Sequence, residues 1–246
     1  MDHQRDGADL SAIQQMLASY GAAAAATDPY WSSVVLLAIN DNKADTTTSF
    51  ADQSSYARTL TAHGNVQYST ASAPTGMTSS ALCDGAGDYV SAGASTDLDL
   101  PGDFTIDIWI NFASIAATQT LIGKWGTSGN YAWIVQWLNT NVIRFYTGIS
   151  GALGTGYTFA FTPSPGTWYQ IRVIRSGSSV SVAVNGTQVG TTITNSNNLT
   201  SPGSTAIGIN LDGNVQSYNG YFACVRVTKG VARSLTETPT LPLPTS

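Results

Sequence analysis

Residues 103–112 read "DFTIDIWINF". Drawn as an extended chain, the segment sorts Phe104, Ile106, Ile108, Ile110 and Phe112 onto one face and Thr105, Asp107, Trp109 and Asn111 onto the other. A repeat of two is the period of a strand, and a helix would mix the two sets. The apolar row therefore predicts an inner strand that faces a core. The opposite row sets a carboxylate beside an indole. Such a pair can be half of a sugar-cleaving site, part of a sugar-binding surface, or a sheet face that meets water. Asp107 and Trp109 are expected on the outer face of the sheet, in lateral contacts or in a concave surface.

From Tyr30 onward the chain repeats this theme. Short extended runs such as "SSVVLLAI", "YAWIVQWL", "TWYQIRVIR" and "GYFACVRVTKG" are separated by turn residues every eight to twelve positions. Around "VNGT", Val180, Val182 and Val184 alternate, and Asn185-Gly186 supplies the two positive φ angles of a tight type I′ hairpin. "RSGSS" at 175–179 reads as a looser turn, and the glycines of "GALGTG" at 151–156 read as a flexible connection. About a dozen strands without crossover helices imply an antiparallel sandwich or jelly roll. Before Tyr30, Leu10, Ile13, Leu17 and Tyr20 recur at three- and four-residue spacing and predict one amphipathic helix over 9–26. Its narrow apolar stripe suits packing against another helix or subunit. The expected division is a helical anchor or oligomerisation segment at 1–29, a β-sandwich at 30–234, and an extended Pro/Thr-rich tail at 235–246.

Composition narrows the function classes. Charged residues make up only 10 % of the 246 and the formal net charge is −5, which argues against a grip on nucleic-acid backbones. Arg172, Arg175, Arg226 and Arg233 lie in or beside strand patterns and read as solvated edge residues. No apolar run is long enough to span a bilayer, so no membrane partner is expected. Cys83 and Cys224 are too few for a disulfide framework and read as buried free thiols, with one bridge between distant strands as the alternative.

Taken in order, "SVVLLAINDN", "FADQSSYARTLTAHGNV", "GDYVSAGASTDLDLPGDFTIDIWINF", "LIGKW", "GTWYQIRVIRSGSSVSVAVNGTQVG" and "GYFACVRVTKGVAR" resemble the laminin-G-like, concanavalin A-like lectin/glucanase superfamily. The resemblance runs from about Ser32 to Arg233. It implies two antiparallel sheets of six or seven strands, with the first and last strands as neighbours. "RVTKGVAR" followed by a Thr/Pro-rich tail is similar to the version of this domain in tailed-bacteriophage virion proteins, which implies a binding or structural module.

Glucanases of that superfamily carry Glu-x-Asp-x-x-Glu on one strand, because glycoside cleavage needs two carboxyl groups at a set separation. This chain departs from that pattern: its only glutamate is Glu237, and the positions two and four after Asp107 are Trp109 and Asn111. No catalytic residue is therefore expected. For sugar binding, alternation in "YAWIVQW" places Tyr131, Trp133, Val135 and Trp137 on one face, which serves either as core or as a stacking surface. Trp125, in a Gly-rich turn, is expected near a rim as a ligand contact. The candidate binding set is thus Asp107, Trp109, Trp125, Tyr131, Trp133 and Trp137. The resemblance also implies a possible calcium ion, with candidates in "STDLDLPGD" (Asp97, Asp99, Asp103) and "NLDGN" (Asn210, Asp212, Asn214). The expected partners are capsid or tail proteins of one virion, host-surface glycans and further copies of the chain, a trimer first among these assemblies. The expected location is the particle surface.

Overall fold

The computed structural model describes residues 27–246. The anchor residues Leu10, Ile13, Leu17 and Tyr20, and the helix expected around them, lie outside the described residues.

Among the described residues fourteen strands, numbered in chain order, form two antiparallel sheets. The eight-stranded sheet runs β12 (Thr187–Thr194), β11 (Ser179–Val184), β10 (Trp168–Ser176), β6 (Phe104–Phe112), β14 (Asn219–Lys229), β4 (Ser80–Asp84) and β3 (Gln67–Ser69), with β1 (Val34–Ala38) also paired to β14. The six-stranded sheet runs β2 (Thr61–His63), β5 (Tyr89–Ala94), β13 (Ser204–Ile207), β7 (Gln119–Trp125), β8 (Tyr131–Leu138) and β9 (Val142–Ala160). The first and last strands are neighbours, as the resemblance implied, and the larger sheet exceeds the expected six or seven by one. Among the described residues helix is limited to two 3₁₀ turns, Trp31–Ser33 and Thr96–Leu98.

The core lies between the sheets. Phe104, Ile106, Ile108, Ile110 and Phe112 all enter it and meet Trp133, Trp137, Ile143 and Phe145 from the facing layer. The hairpin at Asn185-Gly186 has the predicted positive φ angles, 48° and 74°. Two connections are tighter than expected. Ser176 pairs directly with Ser179, so "RSGSS" holds a two-residue turn with Gly177 at φ 61°. The stretch "GALGTG" is part of β9, which folds back on itself: Thr147 Oγ1 donates to the Thr155 carbonyl at 3.1 Å, a separation of eight residues that an extended strand would carry about 26 Å apart. The reversal falls at Ser150 and Gly151, both at positive φ.

The largest departure concerns the second face of β6. All nine of its residues are buried, because the C-terminal residues pack across the outside of the larger sheet. Leu241 and Leu243 join Trp109, Val34, Leu37 and Cys224 in a second apolar cluster. The Leu243 backbone exchanges two hydrogen bonds with the Asn40 side chain, at 2.7 and 2.9 Å. The four arginines expected in solvent are 1–3 % exposed, and three of them, Arg172, Arg226 and Arg233, lie beside this strap. The reason is ionic. Asp107 lies directly across from Arg172 on one neighbouring strand and Arg226 on the other. Its two oxygens accept from Arg172 Nε at 2.6 Å and Arg226 Nη2 at 2.7 Å. Asp28 Oδ2 accepts from Arg226 and Arg233 at 3.1 and 2.6 Å, and Glu237 on the strap approaches Arg172 at 3.3 Å. Three carboxylates thus face three guanidiniums, which makes burial of the charges tolerable. Arg175 is satisfied differently, by donating to the carbonyls of Leu100, Gly102 and Asn197. Both cysteines are buried free thiols.

Candidate functional site

The candidate binding residues separate into three places. Trp133 and Trp137 belong to the core, where each indole N–H donates to a backbone carbonyl, of Leu98 at 3.0 Å and Phe161 at 3.3 Å. Neither presents a face to a ligand. Tyr131 does not share their face. A break in the pairing register between Tyr131 and Trp133 turns it outward, into a small cluster with Trp125, Ile134 and Tyr146 on the outside of the smaller sheet. A bulge of this kind re-aims a side chain, so strict alternation misassigns everything beyond it. Trp125 is 4 % exposed, so it is not the open rim residue expected from its turn.

Asp107 sits in the buried ion cluster. Burial alone would raise its pKa, but the guanidiniums of Arg226 and Arg172 outweigh that and hold the carboxyl below the ordinary range. Asp28 is likewise held low, by Arg233 and Arg226 against its own burial. A general acid needs the opposite shift, so Asp107, held charged between its two arginines, does not serve as a proton donor. The calcium candidates do not fit a cation either. Asp97 accepts from Arg58 at 3.0 Å, Asp99 is paired with Lys124, Asp103 accepts from the Gly177 N–H at 2.7 Å, and Asp212 accepts from the Tyr131 hydroxyl at 3.0 Å. Among the described residues no group of three or more acidic, histidine or cysteine side chains could hold a metal.

Trp109 is the candidate that reaches an opening. With Trp168 of β10 it forms the aromatic floor of a groove of about 340 Å³. The pairing of β10 with β6 sets Gln170 opposite Trp109 and Trp168 opposite Asn111, so the two indoles are diagonal neighbours on one face. Trp168 Nε1 donates to Ser72 Oγ at 3.0 Å, and Asn111 Nδ2 reaches the same oxygen at 3.2 Å, which fixes the ring before any ligand arrives. One wall is the strap, through Pro239, Thr240 and Leu241, and the other is the loop at Pro74 and Thr75. Thr75, Thr240 and Asn185 are exposed at the rim. An indole floor with amide and hydroxyl groups at its edge matches the alternating apolar and polar faces of a pyranose. Trp168 was missed in the sequence, although "TWYQIRVIR" carries the signal: Trp168, Gln170 and Arg172 alternate with Tyr169, Ile171 and Val173 as Trp109 does in β6. The strap that walls the groove left no comparable sign.

Residues 84–237 match a family model described as the concanavalin A-like lectin/glucanases superfamily, of laminin-G type. No curated protein sequence matches the chain. Several solved structures share its fold. The binding domain of Paraclostridial Mosquitocidal Protein 1 is 12 % identical with a TM-score of 0.65, the alignment covering 84 % of this chain and 52 % of that one. The receptor binding domain of botulinum neurotoxin D is 13 % identical with a TM-score of 0.63, covering 84 % and 51 %. The ligand binding domain of botulinum neurotoxin serotype D in complex with N-acetylneuraminic acid is 14 % identical with a TM-score of 0.62, covering 84 % and 49 %. The chain therefore spans about half the length of these structures, and at such identities they show a shared fold.

Proposed function

The chain belongs to the concanavalin A-like lectin/glucanases superfamily, and from that membership we propose that it is a non-catalytic glycan-binding module of a bacteriophage particle, a capsid decoration, head fibre or tail-associated adhesin. The observation that carries the binding reading is the groove floored by Trp109 and Trp168, whose rings are held in place by packing and by Ser72. The absence of hydrolysis is supported by the ion cluster, in which guanidiniums face the carboxyls nearest the groove. The virion setting rests on the sequence likeness of "RVTKGVAR" and the Pro/Thr-rich ending to phage modules. In that setting residues 1–29 anchor the domain to capsid or tail proteins, and a homotrimer or other symmetric assembly multiplies weak sugar contacts into avidity.

The test is a glycan array probed with the protein displayed multivalently. We expect binding to a subset of neutral or host-surface glycans, and Trp168→Ala, which leaves the buried ion cluster intact, should weaken it by about 2 kcal/mol, the range of an aromatic hot spot. No binding in any multivalent format would favour instead a cement protein that only contacts neighbouring capsid subunits. Release of reducing ends from capsular polysaccharide would overturn the non-catalytic reading.

A further inference from the structure

Pro239 and Thr240, which wall the groove, also border a second opening of about 280 Å³, so the two adjoin at this point of the strap. Their linings differ in kind. No charged residue lines the groove, whereas Asp28, Arg226, Arg233 and Glu237 line the second opening. Most of these charges are spent on one another. Asp28 Oδ2 accepts from Arg226 Nη1 and Arg233 Nη2, and its Oδ1 accepts from the Tyr30 N–H at 2.9 Å. Arg233 Nε donates to Thr228 Oγ1 at 3.0 Å, and Glu237 Oε2 accepts from Arg172 Nη1 at 3.3 Å. Two atoms are left over: among the described residues, Arg233 Nη1 donates to nothing and Glu237 Oε1 accepts nothing.

These two atoms stand 3.9 Å apart, and Arg226 Nη2 lies 3.6 Å from the same Glu237 oxygen. Such separations leave attraction but are too long for a hydrogen bond. One oxygen atom placed about 2.8 Å from each of Arg233 Nη1 and Glu237 Oε1 closes the gap, with an angle of about 90° at that atom. It must accept from the guanidinium and donate to the carboxylate. A hydroxyl does both. A ligand carboxylate or phosphate only accepts and would meet Glu237, and an ammonium only donates and would meet two arginines. The side chain of Arg233 is only 2 % exposed while that of Glu237 is 31 % exposed, so the donor is fixed in the wall and the acceptor lies within reach from outside. Water also meets the demand of the gap. The remaining lining separates the two, because Pro29, Pro239, Pro242 and Pro244 offer apolar surface that suits the CH face of a sugar ring and leaves water unpartnered.

We propose that this opening is a second subsite beside the groove, taking the next residue of a neutral oligosaccharide through one hydroxyl that accepts from Arg233 Nη1 and donates to Glu237 Oε1. The inference deepens the glycan-binding reading and rests on it. The ligand it assigns is a chain of at least two uncharged sugars that crosses the strap at Pro239 and Thr240, with one ring on the indoles of Trp109 and Trp168 and the next against the prolines.

The test is a titration of the full chain with maltotriose, cellotriose and galactotriose, each beside its monosaccharide, glucose or galactose, followed by the NMR signals of the Trp168 indole N–H and the Arg233 Nε–H. At least one trisaccharide should shift both signals and bind about tenfold more tightly than its monosaccharide, the effect of one hydrogen bond to charged groups. The monosaccharide should shift Trp168 alone. Glu237→Ala should bring the trisaccharide down to the monosaccharide, and Trp168→Ala should weaken both. If Glu237→Ala loosens the strap, seen as a Trp109 indole signal displaced before any ligand is added, Glu237→Gln, which keeps an oxygen for Arg172 and loses the charge, should cut the preference by at least about threefold. A trisaccharide that shifts Trp168 and leaves Arg233 unmoved means that the opening holds water only, and overturns this inference while the groove stands. Equal affinity of trisaccharide and monosaccharide, a preference that survives in the variant with an intact strap, or a shift at Arg233 without one at Trp168 overturns it too. Silence at both signals with all three trisaccharides at millimolar concentration overturns it together with the groove.

Discussion

Asp107 shows how strongly one residue can be fixed by its neighbours across the sheet. It is fully buried, and arginines approach it from both adjacent strands. Replacing it by asparagine keeps the volume and removes the charge, leaving Arg172 and Arg226 short of a counter-ion in a dry setting. Breaking a buried pair in this way costs about 3–5 kcal/mol, so Asp107→Asn should lower the urea midpoint sharply at neutral pH. The pH dependence has a definite sign. Because the folded carboxyl is held below its ordinary value of 3.8, its contribution is complete above that value and is lost as pH falls through the lower folded pKa. The wild type should therefore lose stability below about pH 4, and a urea-midpoint series against pH should show a smaller loss for Asp107→Asn. Gly186 is a second pressure point. It sits at φ 74°, and a Cβ there would come within 2.9 Å of Thr238 Cγ2 and 3.0 Å of the Thr236 carbonyl. Gly186→Ala should cost about 1–2 kcal/mol from backbone strain alone and more from displacing the strap, as read by thermal unfolding.

At the scale of elements, the strap and the larger sheet complete one another. Removing residues 239–246 takes away Leu241 and Leu243, uncovers Trp109 and Cys224, and deletes one wall of the groove. Burying a leucine is worth about 2 kcal/mol, so the truncated chain should unfold at clearly lower denaturant and bind a hydrophobic dye that the intact chain ignores. Much of the sandwich was legible beforehand, since alternation in β6 and the Asn185-Gly186 hairpin depend on residues close in sequence. The strap was not. A run of Pro, Thr and Leu does not say what it covers, and that surface is assembled from β1, β6, β10 and β14, strands scattered over the whole sandwich. The arginines were misread for the same reason: a lone Arg in a strand pattern looks solvated until Asp28, Asp107 and Glu237 are brought to it from three distant segments. Trp109 in its groove could be placed from β6 alone, but its partner Trp168 and the gap between Glu237 and Arg233 only emerge once strands and loops are assembled.

The molecule as a whole is organised by β14, which pairs with β1, β4 and β6. Strands from the start, middle and end of the chain must meet before the larger sheet exists, so loop closure precedes most of the stabilising contacts. Such topologies fold in milliseconds to seconds, and stopped-flow tryptophan fluorescence should show refolding in or beyond that range, with no half of the chain gaining structure alone. The same closure leaves a practical mark at the ends. The Asp28 N–H donates to the Ser246 carbonyl at 2.8 Å, so the path into the sandwich and the path out of it leave from one spot. A cassette wired in this way can be spliced into a surface loop of a carrier protein without prising that loop apart. It can also be circularly permuted: joining 28 to 246 and reopening at Ser150-Gly151 rearranges the order of synthesis while leaving every layer of the sandwich where it stands.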